Sequence, residues 1–147
     1  MTTPGSANAL SVSRRHWLRV ASDATTPEEQ ARAAERLCRD LDAGLSRWIG
    51  VGGYRTLQDR ALREVSVAHP AMAQLSFDDN GLRDALNAVR EHGAEDVAEG
   101  MMAFAACLIE LLGRIIGAEM ALRLVEHSGD RAHAEPEGST TEVSRND

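Results

Sequence analysis

The sequence contains no lysine, and two Trp, one Tyr and two Phe residues are its only large aromatic side chains. Val, Ile, Phe and Tyr are too sparse for a sheet, and no stretch alternates polar and apolar residues over the length of a strand. All 16 basic residues are arginine, a bias typical of bacterial coding sequences rich in G and C. They are scattered among the acids that give a net charge of −7. This disfavours nucleic-acid binding, because phosphates require a concentrated basic surface.

The motifs of common catalytic and metal sites are also missing. No E-x-x-H, H-E-x-x-H, C-x-x-C or G-x-S-x-G pattern occurs. Cys38 and Cys107 have neither a second ligand nor an activating base beside them in sequence, which predicts buried, reduced thiols. We therefore expect no catalytic residue, no metal site and no cofactor. We expect structural or surface roles for all five histidines: His16, His69, His92, His127 and His133.

A membrane-inserted or secreted protein is not expected either. The first ten residues lack the apolar core and the basic start of a signal peptide, which predicts a cytoplasmic protein. The longest uncharged stretch of the most apolar segment, Gly100 to Ile109, is about half the length of a spanning helix. Glu99, Glu110 and Arg114 interrupt that segment, and each charge near the middle of a bilayer costs about 2.5–3.5 kcal/mol.

Composition along the chain predicts one helical domain between two polar ends. Residues 1–9 are mostly Thr, Ser, Gly, Pro and Asn, and residues 129–147 are polar and lack periodicity, so we predict disorder for both segments. Residues 10–128 form the expected domain, which is long enough for one hydrophobic core.

Two amphipathic helices are predicted in the N-terminal half. The first begins at Leu10, and we expect its apolar side to carry Leu10, Trp17, Leu18 and Ala21. The second begins at Thr26, which can cap the helix together with Glu29 in a capping box, while Pro27 suits the first helical position. Its expected buried face contains Ala31, Ala34, Leu37, Cys38, Leu41, Leu45, Trp48 and Ile49.

Glycine and proline divide the middle of the chain. The segment Gly50-Val51-Gly52-Gly53 predicts a turn rather than a phosphate-binding loop, because it follows a helix and has no lysine. A third helix is expected from Tyr54 to His69, where Pro70 ends it. After a loop whose apolar residues plug the end of the bundle, Asp79 or Asn80 should cap a fourth helix that carries Leu82 and ends at His92-Gly93.

The most apolar segment, about Ala94 to Ile116, predicts the central helix of the fold. Its bulky side chains spread over roughly half of the helical circumference, which is wider than the stripe of a surface helix. Beyond Gly117 the apolar residues move to the opposite side of the same wheel. We therefore predict a break at Gly117, a short final helix, and an all-α bundle of five or six helices.

The other half of the central helix carries the candidate interaction site. Its small residues would make this side of the helix a shallow groove, in which a partner helix could dock and recognise the charged residues. Small residues also allow a helix of the same chain to approach closely. Glu110 and Arg114 have the spacing of a helical ion pair. The candidate site consists of Glu99, Ala103, Ala106, Glu110, Gly113 and Arg114.

These patterns predict a non-enzymatic module for protein interaction or regulation. It would act through a helix face, on a protein partner or by self-association into a homodimer. The alternative is a bundle that senses a small molecule or cofactor in an apolar cavity lined by Met, Phe and Leu of the central helix. Trp17 and Trp48 would be interface anchors if exposed, but we expect both to be buried.

Overall fold

A computed structural model describes residues 4–127. Residues 1–3 and 128–147 lie outside the described residues, and with them the whole predicted C-terminal tail (129–147) and His133. The elements in chain order are α1 (Pro4–Ala21), α2 (Pro27–Ala68), a 3-10 helix (Pro70–Gln74), β1 (Ser76–Asp78), β2 (Gly81–Arg83), α3 (Ala85–His92), α4 (Ala94–Ile116) and α5 (118–127). Helices therefore dominate the described residues, as predicted.

The central position of α4 is confirmed. It packs against α1, α2, α3 and the 3-10 helix. Met101, Phe104, Leu108 and Leu112 are fully buried in one continuous core. Because the apolar face of α4 is so broad, it needs neighbours on several sides, and the other helices supply them. Across residues 4–127, no helix combines the length and apolarity needed to cross a membrane.

The start of α2 has the predicted capping box. The backbone N–H of Glu29 donates to Thr26 Oγ1 at 3.1 Å, and Glu29 Oε1 accepts from the Thr26 N–H at 3.3 Å. Pro27 occupies the first helical turn, where its missing N–H costs nothing. The helix ends at Ala68, before His69-Pro70, as the sequence indicates.

Single glycines make three corners between helical segments. Gly50, Gly93 and Gly117 have φ/ψ angles of 83°/159°, 94°/155° and 98°/145°. Side chains with a Cβ rarely occupy this region, which glycine reaches at little cost. The breaks at Gly93 and Gly117 and the final helix are thus confirmed.

The corner at Gly50 is tighter than predicted. Only Gly50 leaves the helical conformation, whereas Gly52 and Gly53 are helical and the chain resumes its helix at Val51, before the expected Tyr54. We call residues 27–49 the first arm of α2 and residues 51–68 its second arm.

The first helix differs from its prediction in start and in rotation. It begins at Pro4, within the lead expected to be disordered, and Ala9 is fully buried. Leu10 and Leu18 are exposed, whereas Ser13 and His16 face the core. Ser13 satisfies its hydroxyl by donating to the carbonyl of Ala9 at 2.8 Å. Among residues 8–21 of this helix, the buried side chains are Ala9, Val12, Ser13, His16 and Trp17.

A small antiparallel hairpin contradicts the prediction that no strand forms. Its register pairs Phe77 with Leu82, so Leu82 belongs to β2 and not to a helix. Gly81 has a φ of 115°, a backbone angle suited to glycine beside a turn. The following helix begins at Ala85, after Asp84, rather than after a cap at residue 79 or 80.

Two close contacts fix the hairpin and the 3-10 helix against α4. The rings of Phe77 and Phe104 stack with centroids 5.8 Å apart. Gly100 faces Met72 so closely that a Cβ would lie within 2.6 Å of Met72 Cγ. The predicted plugging of the bundle end by the loop after α2 is confirmed, since Met72 and Leu75 are buried.

Candidate interaction surface on α4

The six candidate residues of the central helix, from here on called the α4 strip, are partly covered by their own chain. The charged members Glu99, Glu110 and Arg114 are exposed, whereas Ala103 and Gly113 are half-buried. Ala106 is only 7% exposed. A Cβ on Gly113 would lie 3.3 Å from the Cα of Ala118, so Gly113 permits the close approach of α5. The small residues therefore serve internal packing as well as forming a low surface between the charges.

The second arm of α2 borders the strip with an ion pair, and this pair accepts a hydrogen bond from a thiol of α4. Arg60 Nε donates to Glu64 Oε2 at 3.0 Å, and the Cys107 thiol donates to Glu64 Oε1 at 3.5 Å. The hydrogen bond from Arg60 lowers the pKa of Glu64, and the charge of Arg114 acts in the same direction. The strip thus joins a larger surface of mixed charge that spans two helices.

The two thiols have the environment of structural cysteines rather than nucleophiles. Burial, followed by the charge of Glu64, raises the pKa of Cys107 to about 12. Burial also raises the pKa of Cys38, which is 3% exposed. Because the thiolate is the reactive form, a raised pKa suppresses nucleophilic and metal-binding chemistry.

The histidines do not assemble a ligand set in the described part of the chain. His16 is buried on α1, whereas His69 and His92 are half-buried at helix ends and His127 is exposed. Within residues 4–127 no group of three or more His, Cys, Asp and Glu side chains could hold a metal ion.

The prediction that Trp48 is buried is wrong. Trp17 is 4% exposed, as expected, but Trp48 is 66% exposed near the Gly50 corner, and Val51 beside it is 59% exposed. The helical wheel placed Trp48 at the end of the apolar face of α2. The corner at Gly50 ends the first arm there, and Trp48 lies beyond the neighbouring helices.

Trp48 and the C-terminal end of α4 lie at the same end of the bundle. Glu64 contacts Cys107, and His69 lies near Gly100, so the second arm runs antiparallel to α4. The Gly50 corner must therefore lie toward the end of α4 at which Ile115 is 62% exposed. This end carries more exposed apolar side chains than the sequence indicated.

The hairpin forms a polar concavity that sequence reasoning missed. It has a volume of about 230 Å³ and lies between the hairpin and both arms of α2. Arg55 Nη1 contacts Asp79 Oδ1 at 3.1 Å, and Arg83 Nε contacts Asp78 Oδ2 at 3.0 Å. The segment Asp79-Asn80-Gly81 was the available signal, because Asp, Asn and Gly are the residue types typical of hairpin turns.

Comparison with known proteins adds no family to this description, since no family model, no curated protein and no solved structure matches the chain. The class of protein is therefore defined by the structure itself, an all-α bundle of five helices among residues 4–127.

Proposed function

We propose that this protein is a non-enzymatic cytosolic module for protein interaction or regulation. It binds a protein partner, or a second copy of itself, through the surface formed by the α4 strip. The observation that carries the proposal is the exposure of Glu99, Glu110 and Arg114 around a floor of small residues. Charges arranged in this way favour one orientation and one class of partner more than they add affinity.

Exposed apolar residues at the end of the bundle that also holds the C-terminal end of α4 supply a second reason. Trp is the residue type most enriched among interface hot spots, and Trp48 is 66% exposed beside Val51. A partner that covered Trp48 would bury a large apolar surface that the fold leaves in water. The raised pKa of Cys107 supports a non-enzymatic role, since it removes the most accessible thiol as a nucleophile.

The alternative, an apolar ligand cavity, receives less support. The side chains expected to line it, Met101, Phe104 and Leu108, are fully buried in the core. The concavity beside the hairpin is lined mainly by charged and polar groups, among them Arg39, Asp42 and Gln58. Apolar ligands favour concave sites with mostly apolar walls, so the interaction module remains our proposal.

Charge reversal on the strip tests the proposal. Glu110→Arg changes an exposed side chain, so binding should weaken while the melting temperature stays within about 2 °C of the parent, as for surface substitutions. Asp23→Arg is the matched control, because it makes the same charge change in the connection between α1 and α2. Ala106 is unsuitable for a bulky test residue, since it is nearly buried.

The measurement is sedimentation of the purified protein, together with recovery of partners from the native host. We expect the parent and Asp23→Arg to self-associate or to retain the same partner, and Glu110→Arg to lose it. The proposal fails if Glu110→Arg and Asp23→Arg behave alike. Trp48→Ala should likewise reduce binding without destabilising the fold, whereas Trp17→Ala should cost about 3–5 kcal/mol of stability.

A further inference from the structure

A single residue, Gly117, connects α4 to the final helix α5. The Gly117 N–H donates to the carbonyl of Gly113 at 2.8 Å, and the Gly117 carbonyl accepts from Ala121 at 3.0 Å. The first amides of a helix have no carbonyl one turn back within it. If Gly117 adopted helical angles, the carbonyls of residues 114–116 would accept from the amides of residues 118–120. Straightening the corner therefore adds backbone hydrogen bonds and breaks neither of the two present.

The side chains of α5 need cover from another part of the chain. Ala121 and Val125 are fully buried, and Leu124 is 9% exposed. At the exposed edge of the contact with α1, Arg15 Nη2 donates to Glu126 Oε2 at 2.7 Å. A straight continuation would carry α5 about 15 Å beyond the end of α4, at 1.5 Å per residue, and away from α1 of its own chain.

A straight helix from residue 94 to residue 127 would have apolar faces on opposite sides. The face of α4 would remain in its own core, while Ala121, Leu124 and Val125 would face water on the other side. Val12 and His16 of α1 line one recess with Glu126 of α5, so a surface equivalent to that of α1 can cover these three side chains. In a straightened chain, that surface is available on a second copy.

We propose that α5 exchanges between two copies of this chain. Each Gly117 takes helical angles, each α5 packs on α1 of the other copy, and a symmetric swapped dimer results. A one-residue connection favours exchange because the contacts of α5 with α1 can form again between two copies, and only the conformation of Gly117 differs between the closed and the exchanged form. This exchange does not depend on the function of the α4 strip.

The first test is Gly117→Ala. Alanine is disfavoured at the φ of 98° that the closed corner requires and favours a helix, so the dimer dissociation constant should fall at least tenfold. Gly52→Ala is the matched control, since Gly52 is helical and has open space around it. It should leave the association unchanged. Light scattering after size-exclusion chromatography measures both, and a monomeric Gly117→Ala protein overturns the proposal.

The second test distinguishes exchange from simple side-by-side pairing. Arg15→Glu and Glu126→Arg are placed in separate Gly117→Ala chains and mixed. Exchange restores opposite charges at both α1–α5 contacts only in the mixed dimer, whereas each homodimer carries two repulsive contacts. We therefore expect mixed dimers well above the statistical half, measured by native mass spectrometry. A statistical mixture overturns the proposal, because side-by-side pairing keeps each contact within one chain.

A variant that fails to fold does not end the test. The same two charge variants with Gly117 retained are unfolded, mixed and refolded at high concentration. Excess mixed dimer again supports exchange, and its absence overturns the proposal. Binding of other proteins to the α4 strip plays no part in either readout, so failure of the proposed function and failure of the exchange remain distinguishable.

Discussion

Replacing Gly100 with alanine is expected to destabilise the protein, although alanine is the better helix former. A Cβ at Gly100 would lie within 2.6 Å of Met72 Cγ and closer still to its Sδ, whereas favourable carbon contacts lie near 3.5–4.0 Å. Met72 is 1% exposed and has little room to withdraw. Overpacking of this kind costs about 1–3 kcal/mol, and the gain in helix propensity returns up to about 1 kcal/mol. The net loss should be about 1–2 kcal/mol.

Urea denaturation followed by circular dichroism measures this difference. Gly52→Ala is the matched control, because a Cβ there meets nothing within 4 Å; it should be neutral or stabilising by up to about 1 kcal/mol. In a double-mutant cycle, Met72→Ala should absorb most of the cost of Gly100→Ala, because the shorter side chain removes the clash. A Gly100→Ala protein as stable as its parent would refute the reasoning.

Four further predictions concern single side chains. Alkylation of Cys107 at pH 8 should be roughly a hundredfold or more slower than that of an ordinary thiol, because its pKa is raised to about 12. Glu64→Gln should accelerate the reaction. Equal rates in both proteins would contradict the contribution of Glu64. Thr26→Ala should cost about 0.5–2 kcal/mol through loss of the cap. Hydrogen bonding from the Thr25 and Thr26 amides lowers the pKa of Glu29. The contribution of the Glu29 carboxylate to stability is therefore complete above the unfolded pKa of 4.5 and is lost as the pH falls through the lowered folded pKa. If Glu29→Gln did not change the pH dependence of stability in acid, this reasoning would be contradicted. The Tyr54 hydroxyl is buried without a hydrogen-bond partner, so Tyr54→Phe should leave stability unchanged or raise it by up to about 3 kcal/mol, and a loss in thermal denaturation would point to a missed partner.

Signals that act within a few residues allowed much of the fold to be predicted. The capping box at Thr26 and the ends of helices at His69 and Gly93 depend on local backbone chemistry, which is determined by the residue types at these positions. The break at Gly117 could be predicted because the apolar face changes sides there. A helix cannot turn that face without a break, so the pattern constrained the structure strongly.

The errors arose where burial depends on distant neighbours. A wheel gives the direction of a side chain but not whether another helix extends far enough to cover it, and Trp48 was misplaced for that reason. On α1, buried Ser13 and His16 looked like polar surface, so the helix was rotated in the prediction. The hairpin was missed because its strands have three residues each, too few to show alternation.

The candidate site was limited in the same way. The exposed charges of the α4 strip could be predicted from their shared side of the helix. The approach of Ala118 to Gly113 depends on how α5 folds back, and the burial of Ala106 depends on neighbouring helices. Periodicity describes neither of them. The contact between Glu64 and Cys107 joins residues 43 positions apart, and no local pattern identifies it.

The one-residue corners have a consequence for the length of this protein over evolution. Most folds absorb insertions and deletions in surface loops, but the connections at Gly50, Gly93 and Gly117 have no loop to lengthen. One residue added within α4 would rotate everything beyond it by about 100° and turn Val125 out of the core. Substitutions should therefore accumulate among related sequences much faster than changes in helix length. The number of residues between Gly93 and Gly117 should be a better indicator of homology than residue identity.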